Sequence, residues 1–280
     1  MRVRLCAPST PLSRDDAQRV LALAADFPGI TLDFHPQCFA VHGHFAGPDA
    51  LRRDAFVECA SDPDCDAVWF ARGGYGAVRM AGAAIAALNS AGLGPAAKGK
   101  LYLGYSDAGT MLGGLYRAGV GRPVHAPMPA DIRRAGGDRA VRRVLAWLSG
   151  DRSGEEPGID HRPVAAFNLM TLAMLVGTPL MPDLRGHVVL LEEVAEYHYA
   201  VDRLLFHVTT ALAAQGVAGI RLGRISDVPE NDRPFGMEPS AMARDWCDRQ
   251  GIAWLGQADI GHDAANRIVP FGLAERQEGQ

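Results

Sequence analysis

The chain has 280 residues, a hydrophobic fraction of 48% and a formal net charge of −4. This length suits one large domain or two modest ones, and the nearly balanced charge argues against a nucleic-acid partner. Five cysteines without a C-x-x-C pair favour reduced thiols in a cytosolic protein, and no apolar run approaches membrane-spanning length. The opening residues turn polar before a signal peptide could form, so we expect a cytoplasmic protein without membrane association.

In the first half, short apolar runs alternate with amphipathic helical patterns. Strands are predicted at residues 3–8, 29–35, 66–72 and 100–105. A capping-box pattern at Ser13 and Asp16 begins one of the intervening helices, and another helix ends at Gly92. A third helix is predicted to bury the residues Leu51, Ala55, Phe56 and Cys59. This alternation predicts an α/β fold with an open parallel sheet and helices on both faces.

Residues 150–163 are polar, contain glycine and proline and lack periodicity, which predicts a linker. The linker divides the chain into a first domain over residues 1–150 and a second domain over residues 164–280. The second half is less regular than the first. Its predicted strands cover residues 187–194 and 219–226, and its predicted helices cover residues 199–216 and 241–250.

Two strands of the first half end in unusual turns, at residues 72–76 and 104–107. Ligands of parallel α/β sheets bind at the carboxyl ends of the strands, so both turns are candidates for a site. The glycine turn fits a tight turn, a phosphate loop or backbone N–H groups facing a cavity, although it matches neither the P-loop nor the dinucleotide pattern. Ser106 fits either a helix cap or a nucleophile, and its local sequence leaves both open.

A nucleophilic serine needs a base and a carboxylate that orients the base, and the second half offers both. Glu192 and Glu193 end an apolar run, and His262 follows a glycine four residues before Asn266. An acidic pair in that position is also typical of a solvated turn. Most of the nine histidines are expected to be structural or exposed.

Metal chemistry receives little support from the sequence. His42 and His44 alternate in a stretch that reads as a loop, without an H-E-x-x-H motif or a Cys/His cluster. We therefore expect no metal and no cofactor.

Seven segments together resemble the LD-carboxypeptidase family of serine peptidases, which includes the microcin-C-resistance peptidases. In chain order, the similar segments are residues 7–11, 71–77, 103–112, 125–128, 167–184, 190–205 and 261–272. Two of them depart from the family pattern, because Ala126 and Phe167 stand where glycine is usual. Both substitutions are expected to affect the substrate pocket more than the chemistry.

The resemblance implies a Ser-His-Glu triad and a two-domain fold. Ser106 would be the nucleophile, His262 the general base and Glu192, rather than Glu193, the carboxylate that orients it. Backbone N–H groups of Asp107 and of Gly73 or Gly74 would form the oxyanion hole. The implied architecture is α/β, with a flavodoxin-like parallel-sheet N-terminal domain and a smaller β-rich α/β C-terminal domain.

The function implied by the resemblance is removal of the terminal D-alanine from cytoplasmic murein tetrapeptides during cell-wall recycling. The alternatives are a microcin-type amide hydrolase acting on aminoacyl-nucleotide conjugates and a non-catalytic α/β module that binds a ligand. The family also suggests a homodimer. A carboxypeptidase must recognise a free carboxylate, and Arg72, Asn168 and Arg267 are the candidates. The resemblance favours Asn168, which could instead cap a helix, and Arg72 could instead anchor the backbone of its turn.

Overall fold

The structure is a computed structural model and describes residues 1–90, 94–159, 161–230 and 232–273. Three sequence predictions fall partly outside these ranges: the helix end at Gly92, residue 160 of the linker, and residues 274–280 of the second domain. Within the described ranges the chain forms two sheets of mainly parallel strands with helices packed against them.

The strands are β1 (Arg2–Cys6), β2 (Thr31–Phe34), β3 (Ala67–Phe70), β4 (Leu101–Gly104), β5 (Arg122–His125), β6 (Val164–Asn168), β7 (Val188–Val194), β8 (Gly219–Ser226), β9 (Trp254–Gln257) and β10 (Val269–Pro270). The α-helices are α1 (Arg14–Ala24), α2 (Asp49–Ser61), α3 (Ala81–Ser90), α4 (Gly94–Lys98), α5 (Gly109–Ala118), α6 (Gly137–Leu148), α7 (Leu169–Leu175), α8 (His198–Gln215) and α9 (Pro239–Gln250).

The first sheet has the strand order β10-β5-β4-β3-β1-β2. Its five parallel strands follow the 2-1-3-4-5 order of flavodoxin-like sheets, in which ligands bind beyond the carboxyl ends near the β1/β3 reversal. β10 joins the edge of this sheet in the antiparallel direction, with Val269 opposite His125. The predicted flavodoxin-like first unit is confirmed.

The second sheet is smaller and has the order β6-β7-β8-β9, with all its pairs parallel. β7 is buried along its first six residues, as expected for a strand of a parallel sheet covered on both faces. The apolar residues of β6 and β7 share one hydrophobic cluster with residues of β3, β4 and α5. The two sheets therefore meet through a continuous core.

Two glycines of α5 allow this helix to pack closely against α7 of the second unit. A Cβ atom on Gly113 would lie 2.8 Å from Leu175 Cδ1, and one on Gly109 would lie 3.3 Å from Thr171 Cγ2. Both contacts join α5 to α7, which covers the second sheet. The helix that follows Ser106 is thus packed directly on the second unit.

The predicted buried face of α2 was wrong at one position, where Arg52 is buried instead of Leu51. In α2, Leu51 is 42% exposed, whereas Arg52 is fully buried beside Ala55, Phe56 and Cys59. The buried residues follow the i, i+3, i+4, i+7 spacing of a helix face that begins at Arg52. Ser13 is the N-cap residue of α1, because its Oγ accepts from the Asp16 N–H at 3.1 Å, and its hydroxyl also donates to the Asp16 carboxylate at 2.5 Å.

The predicted linker makes specific contacts within its described residues. Glu156 is buried, accepts a hydrogen bond from the Asp259 N–H at 2.8 Å and pairs with Arg221 at 2.9 Å. The domain limits stay a prediction. All five cysteines are buried and unpaired, and no helix among the described residues has the length and apolarity needed to cross a bilayer.

Candidate active site

Ser106 lies on a strained turn between β4 and α5. Its φ of 58° places a non-glycine residue in the left-handed region, which is uncommon and typical of functional turns. Ala108 occupies the N-cap position of α5 and makes no side-chain capping bond. The Ser106 hydroxyl instead hydrogen-bonds a histidine ring, so it serves neither as the N-cap residue nor as a solvated turn residue.

The structure brings the three residues of the predicted triad into one hydrogen-bonded chain. His262 Nε2 lies 3.0 Å from Ser106 Oγ, and His262 Nδ1 lies 2.5 Å from Glu192 Oε2. Ser106 comes from the turn after β4 of the first sheet, Glu192 from β7 of the second sheet, and His262 from the loop that precedes β10. The Tyr105 ring packs on the imidazole at a centroid distance of 4.8 Å.

The Glu192 carboxylate determines which ring nitrogen of His262 carries the proton and raises the pKa of the imidazole. Glu192 is fully buried, and as an ionised carboxylate it can only accept, so His262 Nδ1–H donates and Nε2 is left to accept from Ser106. Burial of His262 opposes its charged form, but the charge of Glu192 and the hydrogen bond to it outweigh burial and raise the pKa of the imidazole. The ring is therefore oriented and electrostatically prepared to take a proton.

Glu193 points to a different part of the structure. Its carboxylate accepts from Asn168 Nδ2 at 2.7 Å and from the Met170 N–H at 2.8 Å. Burial raises the pKa of Glu193, although these hydrogen bonds oppose the shift. Of the two glutamates, Glu192 contacts the histidine and Glu193 secures the start of α7.

The glycine turn lies directly against Ser106. A Cβ atom on Gly73 would be 3.1 Å from Ser106 Oγ, and Gly74, with φ at +101°, leaves room for Thr10. Within the described part of the chain, the N–H groups of Gly73, Gly74 and Asp107 have no hydrogen-bond acceptor. The family resemblance implies Asp107 and either Gly73 or Gly74 as donors of the oxyanion hole, and no acceptor among the described residues competes for these N–H groups.

The Asp107 carboxylate ties the nucleophile turn to two neighbouring loops. It accepts from Ser9 Oγ at 2.5 Å and from the Ala77 N–H at 2.9 Å. Burial raises the pKa of Asp107, and the two hydrogen bonds oppose that shift. From the second unit, Thr171 Oγ1 donates to the Ser106 carbonyl at 3.2 Å.

Arg52 is a structural residue of the site that the sequence did not reveal. Its guanidinium donates to the carbonyls of Gly76 at 2.8 Å, Gly47 at 3.2 Å and Pro8. These carbonyls belong to three loops at the carboxyl edge of the first sheet. Only the helical spacing in α2 could have signalled that this arginine faces inward.

The three candidates for carboxylate recognition all have contacts within the protein. Asn168 caps α7, because its Oδ1 accepts from the Thr171 N–H at 3.0 Å. Arg267 pairs with Asp259 at 3.2 Å. Arg72 donates to the Pro11 carbonyl at 2.8 Å and forms no salt bridge with any carboxylate among the described residues. Burial lowers the pKa of Arg72. Because its charge is not paired with a carboxylate of the described residues, Arg72 is the strongest of the three candidates for binding the carboxylate of a substrate.

The two departures from the family pattern are both buried. The Phe167 ring packs on Phe271 at 5.1 Å and beside Gly113 in the core between the sheets. Ala126 is fully buried next to β5. Phe167 therefore contacts the helix that follows the nucleophile, and an effect of either substitution on the substrate pocket stays a prediction.

Metal-ligating residues do not cluster within the described ranges, where no group of three or more His, Cys, Asp or Glu side chains could hold an ion. His42 and His44 lie on an exposed turn closed by a bridge between His42 and Phe45.

Comparisons with known proteins cover almost the whole chain. The family model of the LD-carboxypeptidase N-terminal domain matches residues 3–126, and that of the C-terminal domain matches residues 163–275. A Streptomyces coelicolor protein that is named as a carboxypeptidase is 30% identical, covering 97% of this chain and 88% of its own length. The murein tetrapeptide carboxypeptidase of Pseudomonas aeruginosa is 25% identical, covering 99% of this chain and 93% of its own.

Solved structures show the same fold. The muramoyltetrapeptide carboxypeptidase from Oxalobacter formigenes matches with a TM-score of 0.79 at 24% identity, covering 97% of this chain and 95% of its own. The wild-type microcin C7 self immunity protein MccF matches with a TM-score of 0.75 at 18% identity, covering 97% of this chain and 91% of its own. The two domain models and the 30% identity confirm the family inferred from the seven segments. The chain belongs to the LD-carboxypeptidase family of serine peptidases.

Proposed function

We propose that the protein is a serine LD-carboxypeptidase in which Ser106, His262 and Glu192 form the catalytic triad. The observation that supports this most strongly is the hydrogen-bonded chain from Ser106 Oγ through the imidazole to the buried Glu192 carboxylate. Three side chains from separate parts of the fold meet in the order that nucleophilic catalysis requires.

In the proposed first step, Ser106 Oγ attacks the scissile carbonyl carbon while its proton passes to His262 Nε2. Glu192 stabilises the imidazolium that forms, and the carbonyl oxygen becomes an oxyanion. The N–H groups of Asp107 and of Gly73 or Gly74 would hydrogen-bond that oxyanion. The C–N bond then breaks, and His262 returns the proton to the leaving amine.

In the second step, water replaces the amine in the site. His262 Nε2 takes a proton from this water, and the resulting hydroxide attacks the acyl-Ser106 ester. Collapse of the second tetrahedral intermediate breaks the bond to Ser106 Oγ, which regains its proton from His262. The chemistry balances without a metal or a cofactor.

For the substrate, we propose a murein tetrapeptide from which the enzyme removes the terminal D-alanine. The support is the Pseudomonas aeruginosa relative, named a murein tetrapeptide carboxypeptidase, together with the fold shared with the Oxalobacter formigenes enzyme. This reaction would place the protein in the cytoplasm, in cell-wall recycling. A homodimer, which the family resemblance suggests, is tested by sedimentation velocity, and a monomer at assay concentrations would refute it.

A second candidate is hydrolysis of an aminoacyl-nucleotide conjugate of the microcin type. The observation that favours it is the fold shared with MccF, one structure of which holds glutamyl sulfamoyl guanosine. The triad would perform the same acyl transfer, and only the group recognised next to the scissile bond would differ.

Mass spectrometry of the products tests both candidates. Purified enzyme is incubated separately with murein tetrapeptide and with an aminoacyl-sulfamoyl nucleotide. We expect loss of D-alanine from the tetrapeptide, no reaction in Ser106→Ala, and normal turnover in the control Ser61→Ala, which alters a serine whose hydroxyl donates to the Val57 carbonyl in α2. Cleavage of the nucleotide alone would favour the second candidate, and turnover of both by folded Ser106→Ala would refute the mechanism.

A further inference from the structure

A second histidine lies close to the proposed triad. His125 is the last residue of β5 and is fully buried. Its Nε2 lies 3.0 Å from Asn266 Oδ1, a residue of the same loop as His262. The contact crosses from the first sheet to the segment that carries the proposed base.

The hydrogen-bond pattern determines the direction of this contact. Asn266 Oδ1 also accepts the Gly261 N–H at 3.1 Å, and a backbone N–H can only donate. The amide oxygen of Asn266 therefore faces both groups as an acceptor, and His125 donates to it through Nε2–H. Burial lowers the pKa of His125, which keeps the ring neutral with its proton on Nε2.

Asn266 holds the chain on both sides of His262. Its side chain accepts from Gly261, the residue before His262, and its own N–H donates to the Asp263 carbonyl, the residue after it, at 3.1 Å. The pairing of Val269 with His125 secures the same loop three residues further along the chain. A change at His125 is thus transmitted to the backbone that carries the imidazole.

A second path runs through Tyr105. The His125 ring packs edge-on against Tyr105 at 5.5 Å, and Tyr105 packs on His262 at 4.8 Å. The Tyr105 hydroxyl donates to Asp131 at 2.7 Å, which fixes the ring between the two histidines. Both imidazoles are therefore ordered around one immobilised aromatic ring.

His125 contributes little to the stability of the fold compared with a buried polar side chain whose polar atoms are all hydrogen-bonded. Its Nδ1 and Asn266 Nδ2 have no hydrogen-bond partner among the described residues, and such buried groups are unfavourable for folding. By contrast, both ring nitrogens of the buried His187 are bonded, to Tyr116 at 2.8 Å and to the Arg185 carbonyl at 3.0 Å. A ring with no polar atoms would fit the His125 site without the unpaired nitrogen.

We propose that His125 is a positioning residue that, through Asn266, keeps His262 aligned between Ser106 and Glu192. This inference rests on the proposed function, because alignment matters only if His262 transfers the proton. His125 itself touches neither the nucleophile nor the base. A misplacement of about 1 Å at the reacting groups can lower a rate by about 10²-fold.

The decisive variants are His125→Phe, which keeps a ring but removes the donor, and His125→Gln, whose amide can place an N–H near the Nε2 position. Turnover per folded molecule should fall about 10²-fold in His125→Phe with KM nearly unchanged, and His125→Gln should recover at least a tenth of wild-type turnover. His187→Phe is the matched control, since this buried histidine lies at the opposite end of β7, about 16 Å along the strand from Glu192 at 3.3 Å per residue. It should retain wild-type kcat.

A serine-directed fluorophosphonate separates failure of this inference from failure of the proposed function. If Ser106 of the wild type is not labelled, the proposed triad itself is wrong. If the wild type is labelled and folded His125→Phe reacts at the same rate and turns over at the same kcat, the positioning role is wrong. Should His125→Phe not fold, Asn266→Ala breaks the same link, and wild-type kcat in that variant overturns the proposal equally.

Discussion

Replacing Glu192 by glutamine tests the proposed triad at its most buried member. Glutamine preserves the size of the side chain but removes the negative charge that lies 2.5 Å from His262 Nδ1. The new amide can also donate to Nδ1, which would move the ring proton to Nε2. A ring protonated at Nε2 cannot accept the proton of Ser106.

The structure allows the size of this effect to be estimated. For a fully buried carboxylate and an imidazolium with charge centres about 4 Å apart, the attraction is roughly 4 kcal/mol at an effective dielectric constant of about 20. Since about 1.4 kcal/mol corresponds to a factor of ten in rate, the lost charge alone lowers kcat about 10³-fold. The wrong tautomer adds to this loss, and we expect a total decrease of about 10⁴-fold.

The assay is steady-state release of D-alanine by Glu192→Gln, with Glu193→Gln as the matched control. Glu193 is also buried, but its carboxylate bonds Asn168 and the Met170 N–H instead of the imidazole. The control should therefore lose stability, measured by urea unfolding, and keep kcat within tenfold of the wild type. A folded Glu192→Gln with kcat within tenfold of the wild type would refute the reasoning, as would an equal loss in the control.

Three further outcomes are expected. Because the base must be neutral and the pKa of His262 is raised, kcat/KM should fall as pH decreases through a midpoint above the ordinary value of 6.5; a pH–rate profile with a lower midpoint contradicts this. Turnover should survive dialysis against EDTA, and a loss restored by zinc would show a metal requirement. The preference for a tetrapeptide over its C-terminal amide, measured as kcat/KM, should decrease in at least one of Arg72→Ala, Asn168→Ala and Arg267→Ala, with the largest decrease expected in Arg72→Ala; a preference that survives all three places carboxylate recognition elsewhere.

Four of the five parallel strands of the first sheet, β1 to β4, were predictable because each is a short apolar run that ends in a turn residue. The runs at 66–72 and 100–105 contain β3 and β4, with boundaries within three residues of those observed. β5 and β10 were not predicted as strands. β5 contains a proline, and β10 has only two residues, so neither shows a periodicity that a sequence pattern could reveal.

The three triad residues could be predicted from the sequence, whereas the roles of Arg52 and His125 could not. Ser106, Glu192 and His262 stand in segments that resemble a family, and that resemblance, rather than their spacing of up to 156 residues, connected them. Arg52 has no such signal, and His125 stands in one of the similar segments, residues 125–128, without a role that the resemblance gives it. Their importance comes from carbonyl and amide groups that are distant in sequence and reach them only after the chain has folded.

The helix face of α2 shows how a local pattern can mislead. Leu51 and Arg52 both fit a helical repeat with Ala55 and Cys59, and hydrophobicity favours the leucine. Arg52 is buried because three backbone carbonyls of neighbouring loops accept hydrogen bonds from its guanidinium and the Asp49 carboxylate compensates its charge. Tertiary hydrogen bonding therefore outweighs the intrinsic preference of arginine for solvent.

The pairing of Val269 with His125 also sets the time at which activity can appear during synthesis. The ribosome adds about 5–20 residues per second, so roughly 10–30 s pass between the emergence of Ser106 and that of β10. Throughout this interval the serine has neither a base nor an oriented carboxylate, because His262 emerges only shortly before β10. Under the proposed mechanism the nascent first unit cannot hydrolyse a substrate until His262 has emerged, and β10, which completes the edge of its sheet, emerges a few residues later.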